Sequence, residues 1–136
     1  MSVELQSYTV EILKETDIAK AVRVAFFMSE KLGFSKNEQF FIGTSASELA
    51  RNIYQYAKTG SVYLSEVTKD GLMGLEIRAH DKGPGIEDID LAMQDHYSTG
   101  GTLGLGLPGV KRMMDDFLIE SKFTEGTSIN CIKWRR

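Results

Sequence analysis

The stretch VYLSEVTKDGLMGLEIRAHD, residues 62–81, decides what type of sheet this chain forms. Apolar and polar residues alternate over 62–67 and again over 72–79, which is typical of strands with one buried face. Lys69-Asp70-Gly71 stands between the two segments and supplies turn residues. The stretch therefore predicts an antiparallel β-hairpin.

The sequence before this hairpin predicts one strand and two helices. Residues 7–14 alternate in polarity and predict a strand. Apolar side chains then recur at three- and four-residue steps, which predicts a first helix with Thr16 or Asp17 as its cap. Ser35 is a suitable cap for a second helix that runs to about Lys58.

After the hairpin, a glycine-rich region leads to one more helix and two closing strands. We expect the following elements: at most a short helix at 89–94, a helix at 110–117 with Pro108 as its first residue, and strands at 118–123 and 127–134. Helices grouped beside such strands predict an α+β fold, a two-layer sandwich with the helices on one face of a mixed, mostly antiparallel sheet.

Length and composition indicate one globular domain that spans residues 1–136. The chain has 136 residues, of which 42% are hydrophobic and 26% charged, and a chain of this size can bury one real core. It is too short for a bilobal protein kinase or a (β/α)8 barrel. Any chemistry must therefore fit into one compact site.

Charge and cysteine content limit the partners and the compartment. Sixteen Lys and Arg against nineteen Asp and Glu give a formal charge of -3, so we expect no nucleic-acid partner. The single cysteine, Cys131, excludes an internal disulfide and fits a reducing compartment. The sequence has neither a leader pattern nor a long apolar run, so we expect a cytoplasmic protein without a membrane partner.

Three clusters of residues carry candidate chemistry, and the first lies on the second predicted helix. Glu48 and Asn52 are four residues apart, so they share one helix face, while Leu49 and Ile53 turn towards the sheet. One of the pair could be a base and the other a metal ligand. A solvated helix face is the alternative.

The second cluster, Asp81-Lys82-Gly83-Pro84-Gly85, follows an apolar strand. Glycines here allow a sharp turn and a close approach to a flat ligand, while the carboxylate of Asp81 accepts hydrogen bonds. The exocyclic amine of adenine is a donor of this kind. A tight turn with a local hydrogen bond is the alternative.

The third cluster is STGGTLGLGLPG, residues 98–109, with five glycines in ten positions before a helix. Such backbone amides and a helix N-terminus favour phosphate binding, although a flexible connection is also consistent with them. Gly104, Gly106 and Gly109 satisfy the dinucleotide fingerprint, but no strand precedes them and no β-α-β unit follows. A Walker A lysine is also absent.

In this order, the three clusters resemble the N, G1 and G2 boxes of the GHKL ATPase superfamily. The resemblance narrows to the bacterial stressosome serine/threonine kinases and covers nearly the whole chain. Four stretches carry it: residues 48–54, 81–86, 104–115 and 132–134. It implies the ATP-binding Bergerat fold, with ATP and Mg²⁺ as ligands.

The resemblance also implies a role for each matching residue. Asn52 would coordinate Mg²⁺, and Glu48 would be the base that deprotonates the acceptor hydroxyl. The remaining residues would surround the nucleotide: Asp81, Gly83, Gly85 and Thr127 at adenine, and Gly100, Gly101, Gly104, Leu105 and Gly106 at the phosphates.

The activity implied is a protein serine/threonine kinase in a partner-switching cascade. Its substrates would be STAS-domain proteins of a stressosome, and after release it would activate a PP2C-type phosphatase. One alternative is an anti-sigma factor kinase that sequesters a sigma factor and phosphorylates an antagonist. Two others are a non-catalytic, nucleotide-responsive binding module and an unrelated α+β binding domain.

Overall fold

The computed structural model describes residues 5–85, 93, 106–122 and 124–136, and within them it has an α+β fold. Three helices and five strands follow one another in this order: β1 Ser7–Ile12, α1 Asp17–Lys31, α2 Lys36–Tyr56, β2 Gly60–Lys69, β3 Leu72–Asp81, α3 Gly106–Met113, β4 Asp116–Lys122 and β5 Gly126–Trp134. The predicted fold class is confirmed.

The five strands form one sheet in the order β1-β2-β3-β5-β4. All four neighbouring pairs are antiparallel, so the predicted, mostly antiparallel sheet is confirmed. In the β2–β3 hairpin, Val62 pairs with Ala79 and Leu64 with Ile77. The alternation read from residues 62–81 therefore directs one set of apolar side chains to the same face.

That face is covered by the helices and forms the core. Its most buried side chains, each at most 3% exposed, are Ile12 of β1, Val62 and Leu64 of β2, Leu75, Ile77 and Ala79 of β3, and Ile129 and Cys131 of β5. Helix α2 contacts β1, β2, β3 and β5, whereas α1 contacts β1, β2 and α2. The result is the expected two-layer sandwich.

The two predicted helix caps have different outcomes. Ser35 caps α2 through a capping box: its hydroxyl accepts from the N–H of Glu38, whose carboxylate accepts from the N–H of Ser35. Thr16 is the N-cap residue of α1, as one of the two predicted candidates, but its side chain makes no capping bond. Asp17 is instead the first helical residue and accepts from the N–H groups of Leu13 and Lys14, since the chain folds back there after β1.

The third helix starts earlier and ends earlier than predicted. It begins at Gly106 and ends at Met113, while the expected end at Phe117 is wrong. Phe117 belongs to β4, where it pairs with Cys131 and packs against the core. The apolar spacing around Phe117 is consistent with both a helix and a strand. Pairing with β5 places Phe117 in a strand. Apart from Met93, the predicted helix at 89–94 lies outside the described residues.

Candidate active site

Helix α2 presents Glu48 and Asn52 on one face because its opposite face is held in the core. Leu49 and Ile53 are at most 1% exposed, and this fixes the rotation of the helix. The side chain of Glu48 is 13% exposed and lies 3.6 Å from the guanidinium of Arg51. Burial raises the pKa of the Glu48 carboxyl, and the positive charge of Arg51 partly offsets this. A carboxylate with a raised pKa is a stronger base than an ordinary one.

Asp81 is the last residue of β3 and lies at the edge of the same core. It is 6% exposed, and its Oδ1 accepts a hydrogen bond of 2.9 Å from the N–H of Gly83. The alternative reading of Asp81, a tight turn with a local hydrogen bond, is therefore correct for one of its two carboxylate oxygens. The second oxygen can accept from a ligand.

Thr127 of β5 lies directly opposite Asp81. It is also 6% exposed, and its hydroxyl lies 2.8 Å from that of Ser121 on β4. The structure thus brings Asp81 and Thr127 together from segments 46 residues apart (127 − 81). Two buried polar groups side by side at a sheet end form a polar spot next to an apolar core.

Two glycines allow this sheet end to pack closely against the end of α2. A Cβ on Gly60 would lie 2.7 Å from Cγ2 of Ile53 and 3.1 Å from Cβ of Asp81. A Cβ on Gly83 would lie 2.5 Å from Cβ of Ala57, a distance at which one of the two must shift. Asp81 and its turn therefore lie against the last turn of α2, about one turn from Asn52.

The remaining predicted glycines have different positions. Gly85 has a φ of +78° in the turn after Asp81, beside Pro84, whose carbonyl accepts from the N–H of Thr124. Gly106 has a φ of +53° and begins α3. The other residues predicted to bind phosphate lie outside the described residues: Gly100, Gly101, Gly104 and Leu105.

Helix α3 is the third helix that packs into the core. It packs against α2, and Leu107 and Val110 are buried in the common core. The amides of a first helical turn have no partner within the helix. Together with the helix dipole, they favour an anion at this end.

The side chain of Asn52 carries an amide oxygen, which is a type of donor that Mg²⁺ accepts. Among the described residues, no group of three or more His, Cys, Asp and Glu side chains could hold a metal ion. This donor set fits Mg²⁺, which often binds through one or two protein oxygens, substrate phosphates and water.

Ser121 was not among the predicted site residues, although the predicted strands were sufficient to place it near Thr127. Strands were predicted at 118–123 and 127–134, and the register of the β4–β5 hairpin places Ser121 opposite Thr127. Its hydroxyl also donates to the carbonyl of Gly126. Counting back across the turn would have identified Ser121 as the neighbour of Thr127.

The chain is similar in sequence to known proteins over most of its length. No protein-family model matches the chain. Over 127 residues it is 49% identical to the serine/threonine-protein kinase RsbT of Bacillus subtilis, covering 93% of this chain and 96% of that protein. The chain belongs to the RsbT family of protein kinases.

More distant members of the same group include anti-sigma F factors. The chain is 32% identical over 122 residues to that of Geobacillus thermodenitrificans, covering 85% of this chain and 82% of that protein. It is 33% identical over 125 residues to that of Priestia megaterium, covering 86% and 83%. The predicted membership of the GHKL-type, partner-switching kinases is confirmed, and with the RsbT family comes serine/threonine kinase activity.

No helix within residues 5–85, 93, 106–122 and 124–136 is both long enough and apolar enough to cross a membrane.

Proposed function

We propose that this kinase transfers the γ-phosphoryl group of ATP, bound with Mg²⁺, to a serine or threonine of a STAS-domain protein in a stressosome. After the transfer it is released and activates a PP2C-type phosphatase. We also propose that residues 1–136 act as a single kinase domain, since all three helices and all five strands contribute to one core.

One observation carries the proposal. Asn52 lies about one helical turn before Ala57, the cap residue of α2, and Gly83 in the turn after Asp81 packs against Ala57; Glu48 lies one further turn back along the same helix. A base and a metal ligand thus adjoin a polar spot suited to a base ring. Kinase chemistry needs this combination of groups, and the relationship to RsbT supports it.

At the adenine end, Asp81 accepts the exocyclic amine through the oxygen that Gly83 leaves free. Thr127 lies beside it and contributes a hydroxyl whose orientation is fixed by Ser121. Both residues are nearly inaccessible to water. Hydrogen bonds to a buried carboxylate are stronger than those in water, so this end gives nucleotide selectivity.

At the phosphate end, Asn52 would hold Mg²⁺, which would neutralise charge on the nucleotide phosphates. The first turn of α3, from Gly106, donates backbone amides to phosphate oxygens. Gly100, Gly101, Gly104 and Leu105 remain predicted phosphate contacts in the same loop.

Glu48 accepts the proton of the incoming hydroxyl. Its raised pKa increases its strength as a base relative to an ordinary glutamate. A placed base of this kind contributes about 10²- to 10⁴-fold in rate. Positioning by α2 and neutralisation of phosphate charge supply the rest.

The test is phosphoryl transfer from labelled ATP to a purified STAS-domain acceptor. We expect label on serine or threonine with the wild-type protein and a loss of at least about 100-fold with Glu48→Gln or Asn52→Ala. Arg78→Met, on the other face of the sheet, is a control that should keep the activity. Transfer undiminished by both site variants would contradict the assigned roles.

A second candidate is suggested by the 32% and 33% identity to anti-sigma F factors. In that case the chain would also sequester a sigma factor and phosphorylate a single antagonist. The higher identity to RsbT, 49%, favours the first proposal. Co-purification of a sigma factor with the ATP-bound protein would favour the second.

A further inference from the structure

The guanidinium of Arg51 holds one side of the Glu48 carboxylate. The two residues are three apart on α2, and their closest approach joins Nη1 of Arg51 to Oε1 of Glu48 at 3.6 Å. This distance is longer than a hydrogen bond, so the contact is mainly an electrostatic one. It has room to shorten when the site fills.

The two partners differ in exposure. The side chain of Glu48 is 13% exposed, whereas that of Arg51 is 38% exposed. Arg51 therefore lies at the rim of the site and Glu48 within it. An ionised carboxylate in such a position is costly without a nearby positive charge.

Another cation near this end of α2 has a different partner. Lys58, just beyond the helix, lies over the ring of Tyr54 at 5.6 Å from its centroid. Arg51, in contrast, forms an ion pair with Glu48. The location and charge of Arg51 thus match the needs of the proposed base.

We propose that Arg51 is a positioning residue for phosphoryl transfer. It holds Glu48 through Oε1 so that Oε2 faces the acceptor hydroxyl. The acceptor O–H gives its proton to Oε2, and its oxygen forms a bond to the γ-phosphorus. The bond from that phosphorus to the β,γ-bridging oxygen breaks, and its electron pair remains on ADP. This inference rests on the proposed function, in which Glu48 is the base.

The experiment compares Arg51→Met, Arg51→Lys and the control Arg78→Met in steady-state transfer from ATP to a STAS-domain acceptor. We expect Arg51→Met to lower kcat roughly 10- to 100-fold, with KM for ATP and acceptor changed by less than about 2-fold. Arg51→Lys keeps the charge but not the planar fork, so it should recover part of the loss. Arg78 also pairs with a glutamate of its own strand, Glu76 at 3.5 Å, and its removal should leave kcat unchanged.

A double-mutant cycle distinguishes positioning from a structural role. In a Glu48→Gln background, Arg51→Met should cause no further loss, because the two residues act as one unit. An equal loss in both backgrounds would overturn the inference, and so would a raised acceptor KM at unchanged kcat. If Glu48→Gln is fully active, the proposed base itself fails. If Glu48→Gln is inactive and Arg51→Met is normal, only the role of Arg51 fails.

Discussion

Asp81 and Thr127 face each other across the β3–β5 ladder, and each is 6% exposed at the end of the sheet that adjoins α2. A buried carboxylate and a buried hydroxyl in this arrangement are suited to polar groups that lie in the plane of a flat ligand. Because Asp81 also closes its own turn through Gly83, its position is fixed before any ligand arrives.

The Asp81 carboxylate should therefore select adenine by its exocyclic amine. Wild-type protein should bind ATP about 10- to 100-fold more tightly than inosine triphosphate, which lacks that amine, since a hydrogen bond to a charged group contributes about 1.5–3 kcal/mol. Asp81→Asn should remove most of this preference, while its side-chain oxygen should still accept the hydrogen bond from the N–H of Gly83. Calorimetric titration with both nucleotides measures it. If Asp81→Asn keeps the preference for ATP over inosine triphosphate, another residue must recognise the adenine amine.

Glu48 should set the acid limb of the pH–rate profile. Burial raises its pKa, so the base becomes protonated at a higher pH than an ordinary glutamate does. We expect kcat/KM to fall as pH drops through this raised pKa, and the limb to disappear in Glu48→Gln together with about 10²- to 10⁴-fold of the rate.

The same shift has a consequence for stability. A carboxyl whose folded pKa is raised favours the folded state below its unfolded pKa, and this contribution is lost as pH rises through the folded pKa. Ionised Glu48 thus costs stability at neutral pH. Glu48→Gln should have a Tm equal to or above that of the wild type, measured by calorimetry. A lower Tm at pH 7 would contradict the direction of the shift.

Gly83→Ala should destabilise the protein because the new Cβ would lie 2.5 Å from Cβ of Ala57. Overpacking of this kind costs about 1–3 kcal/mol in the free energy of unfolding. Urea denaturation measures the loss. Adding Ala57→Gly removes one of the colliding atoms and should restore part of the stability relative to Ala57→Gly alone. A loss that is the same with and without Ala57 would locate the strain elsewhere.

Two buried serines offer a matched comparison. The hydroxyl of Ser45, on α2, is fully buried and has no hydrogen-bond partner in the structure as described. Ser29, on α1, is equally buried, but its hydroxyl donates to the carbonyl of Phe26 at 3.1 Å. Ser45→Ala should raise the free energy of unfolding by about 1 kcal/mol, and Ser29→Ala should lower it by about 1 kcal/mol. Equal effects of the two substitutions would refute this explanation.

Cys131 should be chemically inert while the protein is folded. Burial raises the pKa of its thiol to about 12, and the thiolate is the reactive form. We expect iodoacetamide at pH 8 to alkylate Cys131 no faster than the protein unfolds, and mass spectrometry measures the rate. A raised thiol pKa also means that its contribution to stability is lost as pH rises towards about 12. Rapid labelling of native protein would contradict the burial of this side chain.

The sequence was sufficient for the elements whose periodicity had one interpretation. The alternation in residues 62–81 and the Ser35 cap of α2 both predicted what the structure has. It was insufficient where two structures suited the same pattern. Phe117 was predicted in a helix and lies in β4, and Asp17 was predicted as a cap and instead binds the chain before it.

By itself, the sequence determined the α+β class, the antiparallel hairpin and the shared face of Glu48 and Asn52, because these depend on local periods of two and of 3.6 residues. Tertiary structure alone decided that Asp81 meets Thr127, that the Ser121 hydroxyl lies within hydrogen-bond distance of the Thr127 hydroxyl and that α2 ends against Gly83. These contacts join residues distant in the chain, and their geometry is set by strand register and by close packing at glycines. Neither the strand register nor the close packing at glycines can be predicted from a local sequence pattern.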